Sequence, residues 1–176
     1  MAYDKEILEA MEKKDDKEFF LETVKKKPML IEWASDEIKD DKEVILNAVK
    51  VDGGALEFAS DRLKDDKDVL LEAVEQAGWT CCYASTRLKG DKDVILRATH
   101  NDGQVLYFAS KELRDDKEVV ISAVSNKPII LKYASYRLRS DKDVAITAVS
   151  KGKQKVLDYI TPNLREDEDI RKLLEN

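Results

Sequence analysis

The chain has 176 residues, of which 43% are hydrophobic and 39% are charged, and its net charge is −6 at pH 7. Acidic and basic residues alternate over short distances, which counts against a phosphate-binding surface, because a nucleic-acid interface needs a basic patch. No apolar run has the length of a signal-peptide core or of a membrane-spanning helix. We therefore expect a cytoplasmic protein that does not enter a membrane, with nucleic acid disfavoured as a partner.

The run Asp-Lys-Glu/Asp returns every 25 residues, followed with a few substitutions by an apolar triplet, Ala-Val, a turn and Leu-x-aromatic-Ala-Ser. A strict period of this length is typical of stacked helical repeats. The sequence predicts an all-α solenoid of about six 25-residue two-helix repeats over residues 16–166. Residues 1–15 and 167–176 are predicted to form capping helices. The repeats begin at Asp16, Asp41, Asp66, Asp91, Asp116 and Asp141.

Each repeat is predicted to open with a capped first helix. The residue before each Asp-Lys pair, such as Asp40 or Gly90, is the predicted N-cap, with an acid three places later completing a capping box. The first helix is expected to end about ten residues later at a Gly or Pro step. At Asp52-Gly53 the glycine is expected in the left-handed conformation that follows many helices.

A second short helix is predicted from about Gly54 to Ala59, with Leu56 and Phe58 facing the core. A serine follows in each of the first five repeats, and Thr161-Pro162 takes that place in the sixth. Thr followed by Pro is a typical N-cap and first-turn pair, so a third helical turn can begin here.

Residues 41–64 read Asp-Lys-Glu-Val-Ile-Leu-Asn-Ala-Val-Lys and then, from residue 54, Gly-Ala-Leu-Glu-Phe-Ala-Ser-Asp-Arg-Leu-Lys. This phrase resembles the helical repeat catalogued as domain of unknown function 4116, and the resemblance covers residues 16–166. It implies a helical repeat without known enzymatic activity and brings no catalytic residues. The last repeat departs from the pattern with one extra residue between Ser150 and Val156, and with Ile160 where Ala is expected.

The acidic runs are candidates for a calcium site as well as for helix caps. Calcium loops place acids at alternate positions around a glycine turn, whereas a lysine interrupts each cluster here, so capping is favoured. A basic residue stands one or two places before each acidic run, and stacking is expected to interleave bases and acids as a charge ladder. These bases are Lys39, Lys64, Lys89, Arg114, Arg139 and Arg165.

The residue types used in catalysis are sparse. His100 is the only histidine, which excludes a multi-histidine metal site, and a plain surface role is favoured for it. Cys81 takes the core place of Leu56, whereas Cys82 takes the exposed place of Glu57. A reactive thiolate needs a positive neighbourhood that the sequence does not provide, so an unreactive Cys82 is favoured. Two adjacent cysteines form no disulfide framework, which suits a reducing compartment. We expect no enzymatic activity, no metal and no cofactor.

One face of the second helix breaks the repeat pattern. Helical geometry places Gly54, Glu57 and Asp61 outward in repeat 2, but these positions become aromatic, apolar or basic in repeats 3–5. Exposed aromatic clusters rimmed by charge are typical of partner interfaces. The alternative is that Trp79 and Ile129 fold onto the next repeat and close the helix corner. The predicted contact residues, which we call the second-helix stripe, are Trp79, Cys82, Tyr107, Lys111, Ile129, Lys132 and Tyr136.

A solenoid offers a surface rather than a pocket, so we hypothesise a non-catalytic module that binds a protein partner through the second-helix stripe. The resembling family occurs in protists, large viruses, phages and bacteria that deliver effectors. A first alternative is therefore a virus- or pathogen-encoded inhibitor that occludes a host protein in the host cytoplasm. A second alternative is a nucleotide or small-ligand site built from bases such as Arg87 and Arg97, although the acidic balance counts against it.

Overall fold

The computed structural model describes residues 5–175, and within this range every regular element is a helix. The chain divides into two compact units, residues 1–85 and residues 86–176. Each unit is built from stacked copies of the 25-residue repeat, so the predicted all-α solenoid class is confirmed. No helix within residues 5–175 has both the length and the apolar composition needed to cross a bilayer.

Each repeat has three helical segments rather than two. The first is an α-helix, the second is a 3-10 helix and the third is a single short turn of helix. The first helices are Lys17–Thr23, Lys42–Val51, Lys67–Gln76, Lys92–Asn101, Lys117–Asn126 and Lys142–Gly152. The second helices are Pro28–Trp33, Gly53–Phe58, Gly78–Tyr83, Gly103–Tyr107, Pro128–Tyr133 and Lys153–Tyr159. The third helices are Asp36–Lys39, Asp61–Lys64, Thr86–Lys89, Leu113–Asp115, Tyr136–Arg139 and Pro162–Arg165.

Two further α-helices flank the repeats. Lys5–Glu12 precedes repeat 1 and buries Ala10, and Glu168–Glu175 follows repeat 6 and buries Ile170. They lie within the segments predicted to be capping helices, 1–15 and 167–176. Of those segments, residues 1–4 and 176 lie outside the described part of the chain.

The first helices supply most of the core. In repeat 2, Val44, Ile45, Ala48 and Val49 have no exposed surface, and each equivalent position in repeats 3–6 is also buried. Leu46, between these buried residues, is half-buried. Helices of about ten residues are marginal in water, so burial between neighbouring helices supplies their stability.

The N-cap of each first helix is the aspartate of the Asp-Lys pair itself, one residue later than predicted. The Asp66 carboxylate accepts hydrogen bonds from the backbone N–H groups of Asp68 at 3.0 Å and Val69 at 3.2 Å. The residue predicted as the cap ends the preceding third helix instead, as Asp40 and Ser140 do. The predicted capping box is also wrong, since the acid stands at the second helical position rather than the third.

Glycine after the first helix serves close packing and not a left-handed turn. No glycine within residues 5–175 has a positive φ. A Cβ on Gly53 would lie 2.4 Å from the carbonyl oxygen of Ala73 on the next first helix, and one on Gly103 would lie 2.3 Å from that of Ala123. Only a residue without a side chain allows this approach of the second helix to the following repeat.

The third helix begins at the serine. Ser60 Oγ accepts a hydrogen bond from the backbone N–H of Leu63 at 3.2 Å, and Thr161 followed by Pro162 starts the sixth copy as predicted. The backbone N–H of the serine also donates to the repeat before it. That of Ser60 reaches the Lys39 carbonyl oxygen at 3.0 Å, and that of Ser135 reaches the Arg114 carbonyl oxygen at 2.9 Å. This bond joins successive third helices within each unit.

The extra residue of repeat 6 is absorbed where the sequence places it. Its first helix runs one residue longer, to Gly152, and Lys153 then takes a positive φ of 49°. Val156 and Ile160 are buried like Ile130 and Ala134 in repeat 5, 26 residues earlier. The repeat therefore regains its packing register after the insertion.

Candidate partner-binding surface

Most charged residues that recur in every repeat are engaged in contacts between repeats. In five of the repeats, the lysine of the Asp-Lys pair reaches two carboxylates at the start of the next first helix. Lys42 Nζ lies 2.8 Å from Asp66 and 3.0 Å from Asp68, and Lys117 Nζ lies 2.9 Å from Asp141 and 2.7 Å from Asp143. Lys17, Lys92 and Lys142 repeat the arrangement.

These contacts shift the pKa values of both the lysine and the aspartate. The hydrogen bond from Lys42 to Asp66 is the largest cause of the raised pKa of the Lys42 ammonium. For Asp66, burial disfavours the charged form, but the Lys42 bond and the helix N–H groups outweigh it and lower the carboxyl pKa. The predicted charge ladder thus exists, but with different bases. Lys39 and Arg114, two of the predicted bases, contribute instead the backbone carbonyls that accept from the serines.

A second set of ion pairs lies along the third helices. Asp40 accepts from the Ser60 hydroxyl and from Arg62 Nε at 2.9 Å. In the other unit, Asp115 accepts from the Ser135 hydroxyl and from Arg137 Nε at 2.9 Å. The hydrogen bond from serine is the first cause of the lowered pKa of each aspartate, followed by the arginine for Asp40.

Where the aspartate of this pair is missing, its arginine is missing too. Gly90 stands at the Asp40 place, and Glu112 stands at the place of Arg62 in the next repeat. Ser140 is followed in the same way by Asn163. An aspartate at residue 90 would face the Glu112 carboxylate, and the glycine removes that repulsion. The recurring charges therefore maintain stacking, which leaves the positions that differ between repeats as candidates for binding.

In the first unit the structure places Trp79 and Cys82 of the second-helix stripe on the surface. Trp79 is 45% exposed, and its ring lies over Gly54 of the preceding repeat, within 3.4 Å of the position that a Cβ would take there. The ring also meets Tyr83 edge-on, with 5.9 Å between centroids. Cys82 is half-buried, and Cys81 is fully buried at its predicted core place. Trp79 thus packs on a neighbour with one face and meets solvent with the other.

The hydroxyl of Tyr83 fixes the ring beside Trp79. It donates to Glu57 Oε2 at 2.8 Å. This hydrogen bond to a carboxylate, with burial as a smaller cause, raises the pKa of Tyr83 to about 12. The hydrogen bond therefore holds the Tyr83 ring in place at the edge of the exposed tryptophan surface.

In the second unit the other five stripe residues are exposed. Tyr136 is the most exposed large apolar residue at 70%, followed by Tyr107 at 53%, and Ile129 is 40% exposed. Lys111 and Lys132 are exposed as well. Ile129 lines an open groove of about 580 Å³ with Pro128 and the 151–156 segment.

Tyr107 and its neighbours form a shallow aromatic pocket that the sequence did not predict. Its ring meets Tyr133 with centroids 4.8 Å apart and Phe108 with centroids 5.0 Å apart, both edge-on. Together with Gln104 and Ile130 these rings line a space of about 290 Å³. We call this space the Tyr107–Tyr133 pocket.

Phe108 and Tyr133 line this pocket, and each is the equivalent of Phe58, which the sequence predicted to face the core. Each repeat ends its second helix region with one aromatic residue, and all six are half-buried rather than buried. They are Trp33, Phe58, Tyr83, Phe108, Tyr133 and Tyr159. The prediction that Phe58 faces the core is therefore corrected. The signal was present in the sequence, because tyrosine and tryptophan occupy a place where a core would favour aliphatic residues.

The remaining candidates are His100 and the acidic runs. His100 is exposed on the first helix of repeat 4. Across residues 5–175, no group of three His, Cys, Asp or Glu side chains is arranged to hold a metal ion.

Comparison with known families gives one match that spans the repeats. The model of the family described as Domain of unknown function (DUF4116) matches residues 16–64, 41–89, 66–114 and 116–165. These overlapping matches follow the 25-residue period and cover most of the chain. No curated protein and no solved structure matches the chain.

Proposed function

We propose that this chain, which belongs to the DUF4116 family of helical repeats, is a non-catalytic module that binds a protein partner through the second-helix stripe. One observation supports this proposal above the others. Eight large apolar side chains are exposed within residues 5–175, and five occupy the outward positions of the second and third helices. Those five are Met29, Trp79, Tyr107, Ile129 and Tyr136.

The proposal follows from how the other positions are used. Most of the recurring aliphatic residues are buried, and recurring acids and bases such as Asp66 and Lys42 bind one another. The stripe positions vary from repeat to repeat, from Gly54 to Trp79 in neighbouring copies. Exposed Trp and Tyr are the residues that most often carry binding energy at protein interfaces. A reducing compartment such as the cytoplasm suits the two adjacent thiols, Cys81 and Cys82.

The test compares single stripe variants with a matched variant elsewhere. Immobilised protein carrying Trp79→Ala or Tyr136→Ala is used to capture proteins from an extract of the source cell, beside wild type. Truncation of a hot-spot aromatic costs at least about 2 kcal/mol, so capture of the specific partner should fall by about tenfold or more. Val51→Ala removes a residue that is 48% exposed outside the stripe and should leave capture unchanged.

Thermal unfolding of the same variants separates binding from folding. Tyr136 is 70% exposed, so its truncation should change the free energy of unfolding by no more than about 0.5 kcal/mol. Retained capture by both stripe variants, or equal loss in Val51→Ala, would contradict the proposal.

A further inference from the structure

The two units differ in the charge of their third helices. Residues 36–39 and 61–64 in the first unit carry three acids and three bases. The equivalent residues in the second unit, 86–89, 111–114, 136–139 and 162–165, carry one acid, Glu112, and seven bases. The whole chain has a net charge of −6, so this concentration of positive charge runs against the overall balance.

Two basic residues of the second unit lie beside aromatic rings. Lys132 Nζ lies 4.9 Å from the ring centroid of Tyr133, at the edge of the Tyr107–Tyr133 pocket. The Arg139 guanidinium carbon lies 5.9 Å from the ring centroid of Tyr136. Lys111 stands at the place equivalent to Tyr136, one repeat earlier.

The structure fixes this relation between neighbouring repeats. The hydrogen bond from the Ser135 N–H to the Arg114 carbonyl sets the third helix of repeat 5 against that of repeat 4. Lys111 and Lys132 form no ion pair among the residues that the structure describes, whereas Arg137 in the same region is held by Asp115. The two lysines therefore present their charge to solvent on the stripe, one in each of two adjacent repeats.

We propose that the second unit binds an acidic protein segment that carries an aromatic side chain. The aromatic side chain enters the Tyr107–Tyr133 pocket, where it can meet the rings of Tyr107, Phe108 and Tyr133 edge-on or offset. Carboxylates of the segment meet Lys111 and Lys132. This inference rests on the proposed function and adds the chemistry of the partner to it.

Charge complementarity favours an acidic peptide over nucleic acid as the occupant. Binding to a nucleic-acid backbone requires many phosphates to be neutralised in sequence, and the net negative charge of the chain opposes it. The paired Asp115 also lies among the bases of this face. A short acidic segment needs only a few opposite charges and one anchored ring, which this surface offers.

The test uses a displayed library of random peptides panned against the immobilised full-length chain. Sequences that combine Asp or Glu with Phe, Tyr or Trp are the expected result. The strongest selected peptide is then labelled and titrated by fluorescence anisotropy at low and high salt. Losing two close charge contacts should weaken its binding to the double variant Lys111→Glu/Lys132→Glu by about tenfold or more, and added salt should weaken binding to wild type.

Matched variants make the result specific. Tyr107→Ala should weaken binding of the selected peptide to a similar degree, because the substitution removes one wall of the Tyr107–Tyr133 pocket. The double variant Lys26→Glu/Lys50→Glu makes the same change in charge at exposed lysines of the first unit and should bind like wild type. A labelled single-stranded oligonucleotide serves as the competing ligand.

Several outcomes would overturn the inference. These are selection of basic or uncharged peptides, no selection above background, equal affinity in Lys111→Glu/Lys132→Glu, or tighter binding of the oligonucleotide through the same lysines. Failure of the wider proposal looks different. If cellular partners are still captured through Trp79 or Tyr136 while charge reversal has no effect, the module binds protein but its partner is not an acidic segment.

Discussion

At the scale of single residues, the aspartate of each Asp-Lys pair has two roles. Asp66 accepts hydrogen bonds from the first N–H groups of its own helix through Oδ1. It also binds Lys42 of the preceding repeat, whose Nζ lies 3.0 Å from Oδ1 and 2.8 Å from Oδ2. The carboxylate therefore ties the start of one helix to the packing of two repeats. A neutral amide can reproduce the first role but not the second.

Replacing Asp66 separates these two roles. Asp66→Ala removes both and should lower the free energy of unfolding by about 1–2 kcal/mol, the usual effect of losing an N-cap side chain. Asp66→Asn keeps a good cap and should be clearly less destabilising. Urea denaturation followed by circular dichroism measures the difference.

The control for this experiment is Asp68→Ala. Asp68 also binds Lys42 but offers only its backbone N–H to the cap. Its side chain is largely exposed, so truncation should cost less than Asp66→Ala. Equal effects of Asp66→Ala and Asp68→Ala would show that capping contributes nothing measurable.

At the scale of elements, the third helices are matched to one another by pairs of charges. Two complete Asp–Arg pairs are Asp40 with Arg62 and Asp115 with Arg137. At the equivalent places of the next pair, glycine replaces the aspartate and glutamate replaces the arginine, at Gly90 and Glu112. In repeat 4 the Ser110 hydroxyl accepts from the Leu113 N–H at 3.3 Å, as the serines of other repeats do from theirs. The pKa of Glu112 is lowered first by its own backbone N–H and then by a hydrogen bond with Ser110. Glycine and glutamate in place of aspartate and arginine thus also allow the neighbouring third helices to stack.

Restoring the pair in repeat 4 should therefore be cooperative. Gly90→Asp alone places a carboxylate toward Glu112, and Glu112→Arg alone provides an arginine without its aspartate. We expect each single variant to melt below the double variant Gly90→Asp/Glu112→Arg, in which the Asp–Arg pair can form. Gly90→Ala is the control for loss of glycine itself, since its Cβ would meet only ordinary contacts of 3.5 Å or more.

The melting temperatures of wild type, the two single variants and the double variant form a double-mutant cycle. A double variant that melts where the two single effects add would show that the charges do not couple across the third helices. A double variant below both singles would show that residue 90 is glycine for a reason other than charge.

The period of the sequence predicts the helical elements well because it is enforced in every repeat. The period predicts the capping residues and the type of each helix less well. The cap falls one residue late because Asp40 and Asp41 are both good capping residues, and only the path of the third helix decides between them. The second helices are 3-10 whether glycine or proline begins them, as Gly53–Phe58 and Pro128–Tyr133 show, and the spacing of apolar residues over six positions does not distinguish this form from an α-helix.

The candidate surface was partly accessible to sequence reasoning. Exposure of Tyr107 and Tyr136 follows from helical geometry and is seen in the structure. Trp79 remains 45% exposed, and its packing differs from the alternative, because the ring lies over Gly54 of the preceding repeat rather than on the next one. The Tyr107–Tyr133 pocket lay beyond prediction, since it forms from side chains 26 residues apart that meet only when repeats stack.

At the scale of the whole molecule, the repeated lysine contacts make stability depend on pH at both ends of the range. The pKa values of Asp41, Asp66, Asp116 and Asp141 are lowered, because lysine and helix N–H bonds outweigh burial. Those of Lys17, Lys42, Lys92, Lys117 and Lys142 are raised, first of all by hydrogen bonds to carboxylates. Each shift means that the folded state favours the charged form of its group.

The direction of each shift defines a plateau of stability. A carboxylate with a lowered pKa stabilises the fold fully above its unfolded value of about 3.9, and this contribution is lost as the pH falls through the folded pKa. A lysine with a raised pKa stabilises the fold fully below its unfolded value of about 10.4, and this contribution is lost as the pH rises above it. The urea midpoint should therefore be nearly constant from about pH 5 to pH 10 and fall on both sides.

Salt and a lysine variant identify the origin of the fall in the urea midpoint at low pH and at high pH, which we call the acid limb and the alkaline limb. In 1 M NaCl the Debye length is about 3 Å, so screening should flatten both limbs, although less for the partly buried aspartates. Lys42→Met keeps an unbranched side chain while removing the partner of Asp66, and it should move the acid limb to higher pH because the Asp66 pKa is no longer lowered by lysine. An acid limb that is identical in Lys42→Met and wild type would mean that the lysine contacts do not determine how this repeat array responds to pH.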